Sequence, residues 1–310
     1  MPAAPEVVDV PIVDPGAFCG DDHPFEGEMT QIERGPRTGR AIGITTPGVQ
    51  VWVYALERQI QARSALRPGR LVRTVPISNA PDSLHNGGSL RTGDVLEFAP
   101  GYENVETLHP GLYLDVQVDA EHAAAQEPPA TSRVVSTLAL ADVVELRRRA
   151  TGLLARDPDR STDPATLRDE AFLERAVELV QRPASRRSPI RAPHRRHHIA
   201  ARALGHVTDR LDGEALSVPR LAEELGVSER TVYRSFSDEI GIGPYDYVVV
   251  RRLNAMRRLL LESTGRRGAV TDAAGRAGFT HLGQMGALYR RFFGETPRET
   301  LRRRTIDVQT

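Results

Sequence analysis

In the stretch SVPRLAEELGVSERTVYRSF (217–236), Arg230 and Arg234 stand four residues apart, with Tyr233 beside them. Four residues is about one helical turn, so on a helix both guanidinium groups share a face. A guanidinium is a planar fork that donates paired hydrogen bonds to the O6 and N7 edge of guanine or to a phosphate. The chemistry on offer is recognition of nucleic-acid edges. A second set of polar and basic residues, His281, Gln284, Arg290 and Arg291, stands in HLGQMGALYRRFFG (281–294).

The elements that must position these groups are also written in the sequence. Ser217 can cap a helix whose Leu221, Ala222 and Leu225 face inward, Gly226 supplies a left-handed turn and Val227 plugs the corner. Ser228 then caps a second helix, opening Ser228-Glu229-Arg230-Thr231, in which Val232 and Phe236 pack on the first. This is the grammar of a helix-turn-helix unit. VTDAAGRAGFTHLGQMGALYRRFFG (270–294) repeats it, with Ala273, Ala274 and Ala277 inside, Gly278 at the turn, Phe279 as plug and Thr280 as the expected cap. Gly226 and Gly278 lie 52 residues apart and the packing pair Val232 and Met285 lies 53 apart, so the second unit holds one extra residue. Between them GIGPYDYVVVRRLNAMRRLLLES (241–263) reads as one spacer helix with Tyr247, Val250, Leu253, Met256 and Leu260 on one face. Arg251, Arg252, Arg257 and Arg258 are expected on its other faces, solvated or salt-bridged, with phosphate contact as the alternative. Thr296-Pro297-Arg298-Glu299 has the pattern of a capping box opening a short last helix.

Charge is distributed to match. Residues 1–130 hold nine arginines against eighteen carboxylates, and residues 183–310 hold twenty-three against fourteen, although the whole chain is neutral. Only the rear is expected to face a polyanion. All 41 basic residues are arginine. The single cysteine, Cys19, rules out an internal disulfide, and the absence of an apolar leader or a run of about 20 apolar residues predicts a cytoplasmic chain with no membrane contact.

Residues 28–118 read as β-rich, with VQVWVYAL (49–56), RLVRTVPI (70–77) and GLYLDVQVD (111–119) separated by Pro68-Gly69, Asn86-Gly87-Gly88, Pro100-Gly101 and Pro110-Gly111. Two helices are expected over 136–182, with Asp163 as a cap before Pro164, and the arginine- and proline-rich segment 182–198 reads as an extended basic tether. The fold expected is α+β: a β-rich, barrel-like sensor domain (1–125), a helical connector and linker that could serve dimerisation (126–190), and an all-α domain with two helix-turn-helix units (191–310).

The order of the first unit, the RRLNAMRRLL spacer, the AGF turn and the FFGETPRETLR ending resembles the DNA-binding domain of AraC/XylS-type transcription regulators over about residues 194–304. Within it, HLGQMGALYRRFFGETPRETLRR is similar to members related to the ethanolamine-operon activator. The resemblance implies that each second helix enters a major groove, one helical turn from the other. Matched residue by residue, Arg230, Tyr233 and Arg234 take base-reading positions, while the second unit offers Leu282, Gly283, Gly286 and Ala287 there. That unit is therefore expected to grip phosphates through His281, Gln284, Arg290 and Arg291 and to read mainly thymine methyls or groove shape.

The implied function is a DNA-binding transcription regulator, an activator by family leaning, working on double-stranded promoter DNA with RNA polymerase, as a homodimer, under a small-molecule effector held by the β domain. In the alternative, that domain serves only protein interaction or dimerisation, with no ligand. A barrel-type enzyme fused to a DNA anchor finds no support: there is no Gly-x-Ser-x-Gly, no phosphate-cradling glycine loop, and the spacing of His23, His85, His109 and Glu103 does not match a metal cupin. No cofactor or metal is expected.

Overall fold

The β-rich runs form twelve strands in the computed structural model, which describes residues 6–19, 23–79, 83–122, 129–155, 170–181, 195–209 and 217–307. A seven-stranded sheet is built from β1 (Glu6–Ile12), β3 (Gly39–Thr46), β4 (Val49–Leu56), β11 (Gly111–Asp119), β6 (Arg70–Asn79), β9 (Asp94–Glu97) and β12 (Arg133–Thr137), in that spatial order. A five-stranded sheet follows the order β2 (Phe25–Gln31), β5 (Ile60–Leu66), β10 (Glu103–Leu108), β7 (Leu84–His85) and β8 (Gly88–Ser89). The pairings within both sheets are antiparallel. Asn86 and Gly87 both take positive φ between β7 and β8, as a tight Asn-Gly hairpin requires.

The expected barrel is replaced by a sandwich. Among the described strands neither sheet closes on itself, because β1 and β12 end one and β2 and β8 end the other. Side-chain alternation then gives each sheet two occupied faces. On the large sheet, Val51, Val53, Leu114, Val116 and Val118 pack outward beneath α1 (Leu140–Leu154) and α2 (Glu170–Gln181) through Leu146, Ala150, Phe172 and Leu179. Its opposite face carries Leu56 and Tyr113 against Ile60 of the small sheet. β1 and β12 fall outside the β region expected from sequence; β12 is a β-branched run that completes the sheet edge against β9. Asp163, Pro164 and the tether's residues 182–194 lie outside the described residues.

The tether's last residues are not extended. They open α3 (Arg195–Asp209), which buries Ile199, Ala200, Ala203, Leu204 and Val207, and His197 Nδ1 lies 3.0 Å from Glu239 Oε1 in a buried pair. The arginine content masked this helix's apolar periodicity. The remaining helices are α4 (Val218–Leu225), α5 (Glu229–Ile240), α6 (Pro244–Glu262), α7 (Ala269–Arg276), α8 (Leu282–Phe293) and α9 (Pro297–Asp307). One apolar cluster runs from Ala203 and Leu221 through Val232, Phe236, Leu253 and Met256 to Met285 and Phe293, and it takes in Ile32 and Val105 of the small-sheet side. No helix is long and apolar enough to cross a membrane, among the described residues.

The spacer helix α6 is therefore covered on most sides; of its four arginines, Arg251 and Arg257 are buried, and Arg252 and Arg258 are half-buried. Arg251 and Arg257 are each 1% exposed. Arg251 Nε donates to Glu28 Oε1 at 2.9 Å and its Nη1 to the Val207 carbonyl at 2.9 Å. Arg257 meets Glu295 at 3.0 Å and the Pro36 carbonyl, and Arg258 meets Asp14 at 3.0 Å. Asn254 accepts from the Gln31 N–H at 3.1 Å and donates to the Gln31 carbonyl at 3.0 Å. Burying a guanidinium is tolerable only where carboxylates and carbonyls surround it, and the β domain supplies most of these. Glu28→Gln should strand the Arg251 charge and lower unfolding stability by about 3 kcal/mol, with Glu28→Gln/Arg251→Met recovering most of the loss; urea melts of the four-member cycle measure it.

Candidate functional site

The first unit is assembled as its residues dictate. Ser217 Oγ accepts from the Arg220 N–H at 3.3 Å, Gly226 closes α4 in the left-handed conformation at φ 65°, and Ser228 Oγ accepts from the Thr231 N–H at 3.3 Å at the start of α5. Both caps satisfy helix-end donors that would otherwise be orphaned. Val232, Ser235, Phe236, Glu239 and Ile240 are buried, so the helical period puts Arg230, Arg234 and Ser237 on the outward face. Arg230 and Arg234 are exposed and form no ion pair among the described residues. Ser228 and Glu229 are exposed at the amino end, while Thr231 is half-buried, with its hydroxyl 2.9 Å from that of Ser228. Tyr233 lies on the flank, 40% exposed, its ring 6.4 Å from that of the equally open Tyr245 at the start of α6. Tyr245 was not singled out from sequence, because only three dimensions bring the spacer's first turn beside α5.

The second unit is built differently. Gly278 takes φ 83°, but α8 begins at Leu282 with His281 in the capping position and no side-chain cap bond. Thr280, the expected cap, falls one residue short, since the extra residue lies between the turn glycine and the helix. Met285, Tyr289, Phe292 and Phe293 are buried, and Gln284, Ala287, Arg290 and Arg291 are exposed on the other side. Leu282 and Leu288 are also exposed, at 45% and 39%. A methyl group at Gly283 or Gly286 would meet nothing within 4 Å, so these glycines are not required by packing. The capping box before α9 forms in both directions: the Glu299 N–H donates to Thr296 Oγ1 at 3.3 Å and the Thr296 N–H to Glu299 Oε2 at 2.6 Å. Those bonds hold the Glu299 carboxyl below its ordinary pKa.

The second feature is a cavity of about 70 Å³ between the two sheets. Apolar walls come from Ile12, Phe18, Phe25, Leu56, Ile60 and Phe98, and polar groups from Thr74, Glu106, Asp115, Tyr54, Tyr113 and His23. Burial pushes Asp115 from 3.8 up to about 7, against the lowering effect of the Thr74 hydroxyl at 2.7 Å and with help from Glu106. The short 3₁₀ segment Pro15–Cys19 forms one wall, and it is wired to the spacer helix. Asp14 accepts from the Gly16 N–H at 2.9 Å and from Arg258 Nε at 3.0 Å, and Gly16 lies so close to that guanidinium that a Cβ there would sit 1.7 Å from Nη2. Sequence reasoning did not find Asp115 or Glu106, because two carboxylates nine residues apart on different strands have no local signature.

Two measurements follow. Gly286→Ala should stabilise α8 by about 1 kcal/mol, and Gly283→Ala in the first turn by less, read as a rise in the urea midpoint. Asp115, with its folded pKa raised above the unfolded value, keeps a proton that the unfolded chain has lost, so stability should fall with rising pH between about 4 and about 7, by at most about 1.4 kcal/mol per pH unit. Asp115→Asn should flatten that part of the profile in thermal melts; an unchanged slope assigns it elsewhere.

Residues 221–303 match the family model described as "Helix-turn-helix domain". The chain is 37% identical over 93 residues to the XylDLEGF operon transcriptional activator 3 of Pseudomonas putida, which covers 30% of this chain and 28% of that protein. It is 26% identical over 167 residues to the HTH-type transcriptional activator RhaS of Salmonella heidelberg, covering 54% and 57% of the two chains. The chain thus spans under a third of the first relative's length and under two thirds of the second's. Among solved structures it is similar to a probable AraC family transcriptional regulator from Rhodopseudomonas palustris, 29% identical, with 34% of this chain and 97% of that one covered at a TM-score of 0.30. Within the rear part of the chain, residues 221–303 are thus similar to a helix-turn-helix domain.

Proposed function

We propose that this chain is a sequence-specific DNA-binding transcription regulator, acting as an activator and responsive to a small effector held by its β domain. The observation that carries the DNA-binding part is the outward pair Arg230 and Arg234 on α5, capped at Ser228, exposed and four residues apart. In this reading α5 enters a major groove, where the two guanidinium groups select guanines and Tyr233 and Tyr245 stand toward the backbone. The second unit holds the adjacent stretch: His281, Gln284, Arg290 and Arg291 contact phosphates, and the exposed Leu282 offers an apolar surface to thymine methyls. The effector part is supported by the cavity and its connection. A ligand pressing on Pro15 or Phe18 displaces the segment that Asp14 ties to Arg258, and so acts on the helix that spaces the two units.

In vitro site selection with the purified chain tests the reading. The wild type should return two adjacent motifs with guanines in the first. Arg234→Ala should lose discrimination at one base pair by about 1–3 kcal/mol while retaining the second motif. An unchanged preference removes α5 from base reading, and no enrichment by the wild type refutes sequence-specific binding.

A further inference from the structure

The cavity between the sheets has a chemistry that selects among effectors. Asp115 reaches it from the large sheet and Glu106 from the small one, and both line it. One oxygen of each is committed: Asp115 Oδ1 accepts from the Thr74 hydroxyl at 2.7 Å, and Glu106 Oε1 lies 3.1 Å from His85 Nδ1. The second oxygen of each has no protein donor among the described residues. No arginine is among the residues that line the cavity. Arg258, across the Pro15–Cys19 segment, is bound to Asp14. His23 is no counter-cation either, since burial, with Arg70 and Arg67 adding to it, lowers its pKa to about 4.

We propose that this cavity binds a small organic cation, a primary amine carried on a single aromatic ring or a short branched chain, with its ammonium between the Asp115 and Glu106 carboxyls. The proposal rests on the effector-responsive reading above and names the class of effector. An organic anion would enter a lining that holds two carboxyls and no cation, which is repulsive at short range in a low-dielectric interior. A wholly apolar ligand would leave the carboxyl oxygens without donors, at a cost comparable to a lost charged hydrogen bond. An ammonium supplies those donors, and the rings of Phe18, Tyr54, Phe25 and Phe98 offer π faces and apolar area to the rest of the ligand. Size limits it further. At roughly 10–15 Å³ for each water-sized body, the cavity of about 70 Å³ takes roughly five to seven heavy atoms, so a short branched amine fits as it stands and a single ring fits with displacement of the Pro15–Cys19 wall.

The cation takes the place of a proton. Asp115, raised to about 7, keeps a proton near neutrality in surroundings formed by Glu106 on β10, Tyr54 on β4, Tyr113 on its own strand and Cys19 on the 3₁₀ segment. Entry of R–NH3⁺ displaces that proton to solvent, so charge balances: one cation enters as one proton leaves. Two buried ring nitrogens of His23 without partners offer a further polar contact to a ligand that carries a hydroxyl.

An isosteric series on the full-length protein tests this. Benzylamine, benzyl alcohol and benzoate differ at one polar end, and isobutylamine replaces the ring by a branched chain. At pH 8, calorimetric titration should show binding by at least one of the two amines, with benzyl alcohol at least tenfold weaker than benzylamine if the ring fits, and no binding of benzoate. At pH 6.5 the heat should vary with the ionisation enthalpy of the buffer, which reports the released proton. Asp115→Asn should weaken the amine at least tenfold; Glu106→Gln serves in its place if circular dichroism shows Asp115→Asn unfolded. Binding of benzoate or benzyl alcohol as tight as that of the amines, amine binding indifferent to both substitutions, or no binding of either amine overturns the proposal. Gel shifts on selected DNA are read separately. DNA binding without amine binding sinks this proposal alone, whereas amine binding without DNA binding sinks the regulator reading and leaves the cavity's chemistry standing.

Discussion

Three arginines and one asparagine on α6 govern how the molecule holds together. A guanidinium that is 1% exposed persists only where acceptors are already in place, and Arg251 and Arg257 find theirs in Glu28, Glu295 and the Pro36 carbonyl, while the half-buried Arg258 pairs with Asp14. Asn254 adds a reciprocal pair of bonds to the backbone of Gln31. Most of these acceptors belong to the β domain, while Leu253, Met256 and Leu260 of the same helix pack the core of the two helix-turn-helix units. The position of the second helix of each unit is thereby referenced to the small sheet. Hydrogen bonds from Gln59 to the Ile240 carbonyl and from Thr107 to the Glu239 carbonyl, each 2.8 Å, extend that reference to the end of α5.

The two units answer to different physical demands. The first has caps at both helix starts, a left-handed glycine between them and a face of exposed arginines, so its geometry is set before any partner arrives. The second begins without a side-chain cap and carries two glycines that packing does not require. Local opening is easiest where such stabilising features are missing. In the DNA-binding role proposed above, a rigid first unit paired with a more compliant second one would accommodate variation in groove shape at the second site.

Much of the rear domain was legible because its signals are local. Helix starts at Ser217, Ser228 and Thr296 are read from one residue and its neighbour three positions on, and burial of Val232, Phe236, Met256 and Met285 follows from helical period alone. The β domain yielded strands such as Val49–Leu56 and Gly111–Asp119 but not their closure, since whether two sheets join is decided by pairings between distant segments such as β1 with β3 and β9 with β12. The arginines of α6 were expected on solvated or salt-bridged faces. Ion pairing holds for Arg251, Arg257 and Arg258, but Arg251 and Arg257 are also buried, against acceptors such as Glu28 and the Pro36 carbonyl that lie more than two hundred residues away. The cavity was hidden for the same reason: Asp115 and Glu106 meet only after two sheets stack.

The strands of the small sheet carry two duties at alternate positions. Along β10, Glu106 and Leu108 line the cavity, while Val105 and Thr107 face the helices. Inheritance can therefore act on the two at single-residue grain. A lineage can exchange the inner side chains while the outer ones keep their contacts with the helical core, so that the lining of the cavity varies over an unaltered scaffold. The same interleaving confines such drift to substitutions: inserting or deleting one residue in β10 would transpose inner and outer side chains together and corrupt both duties at once.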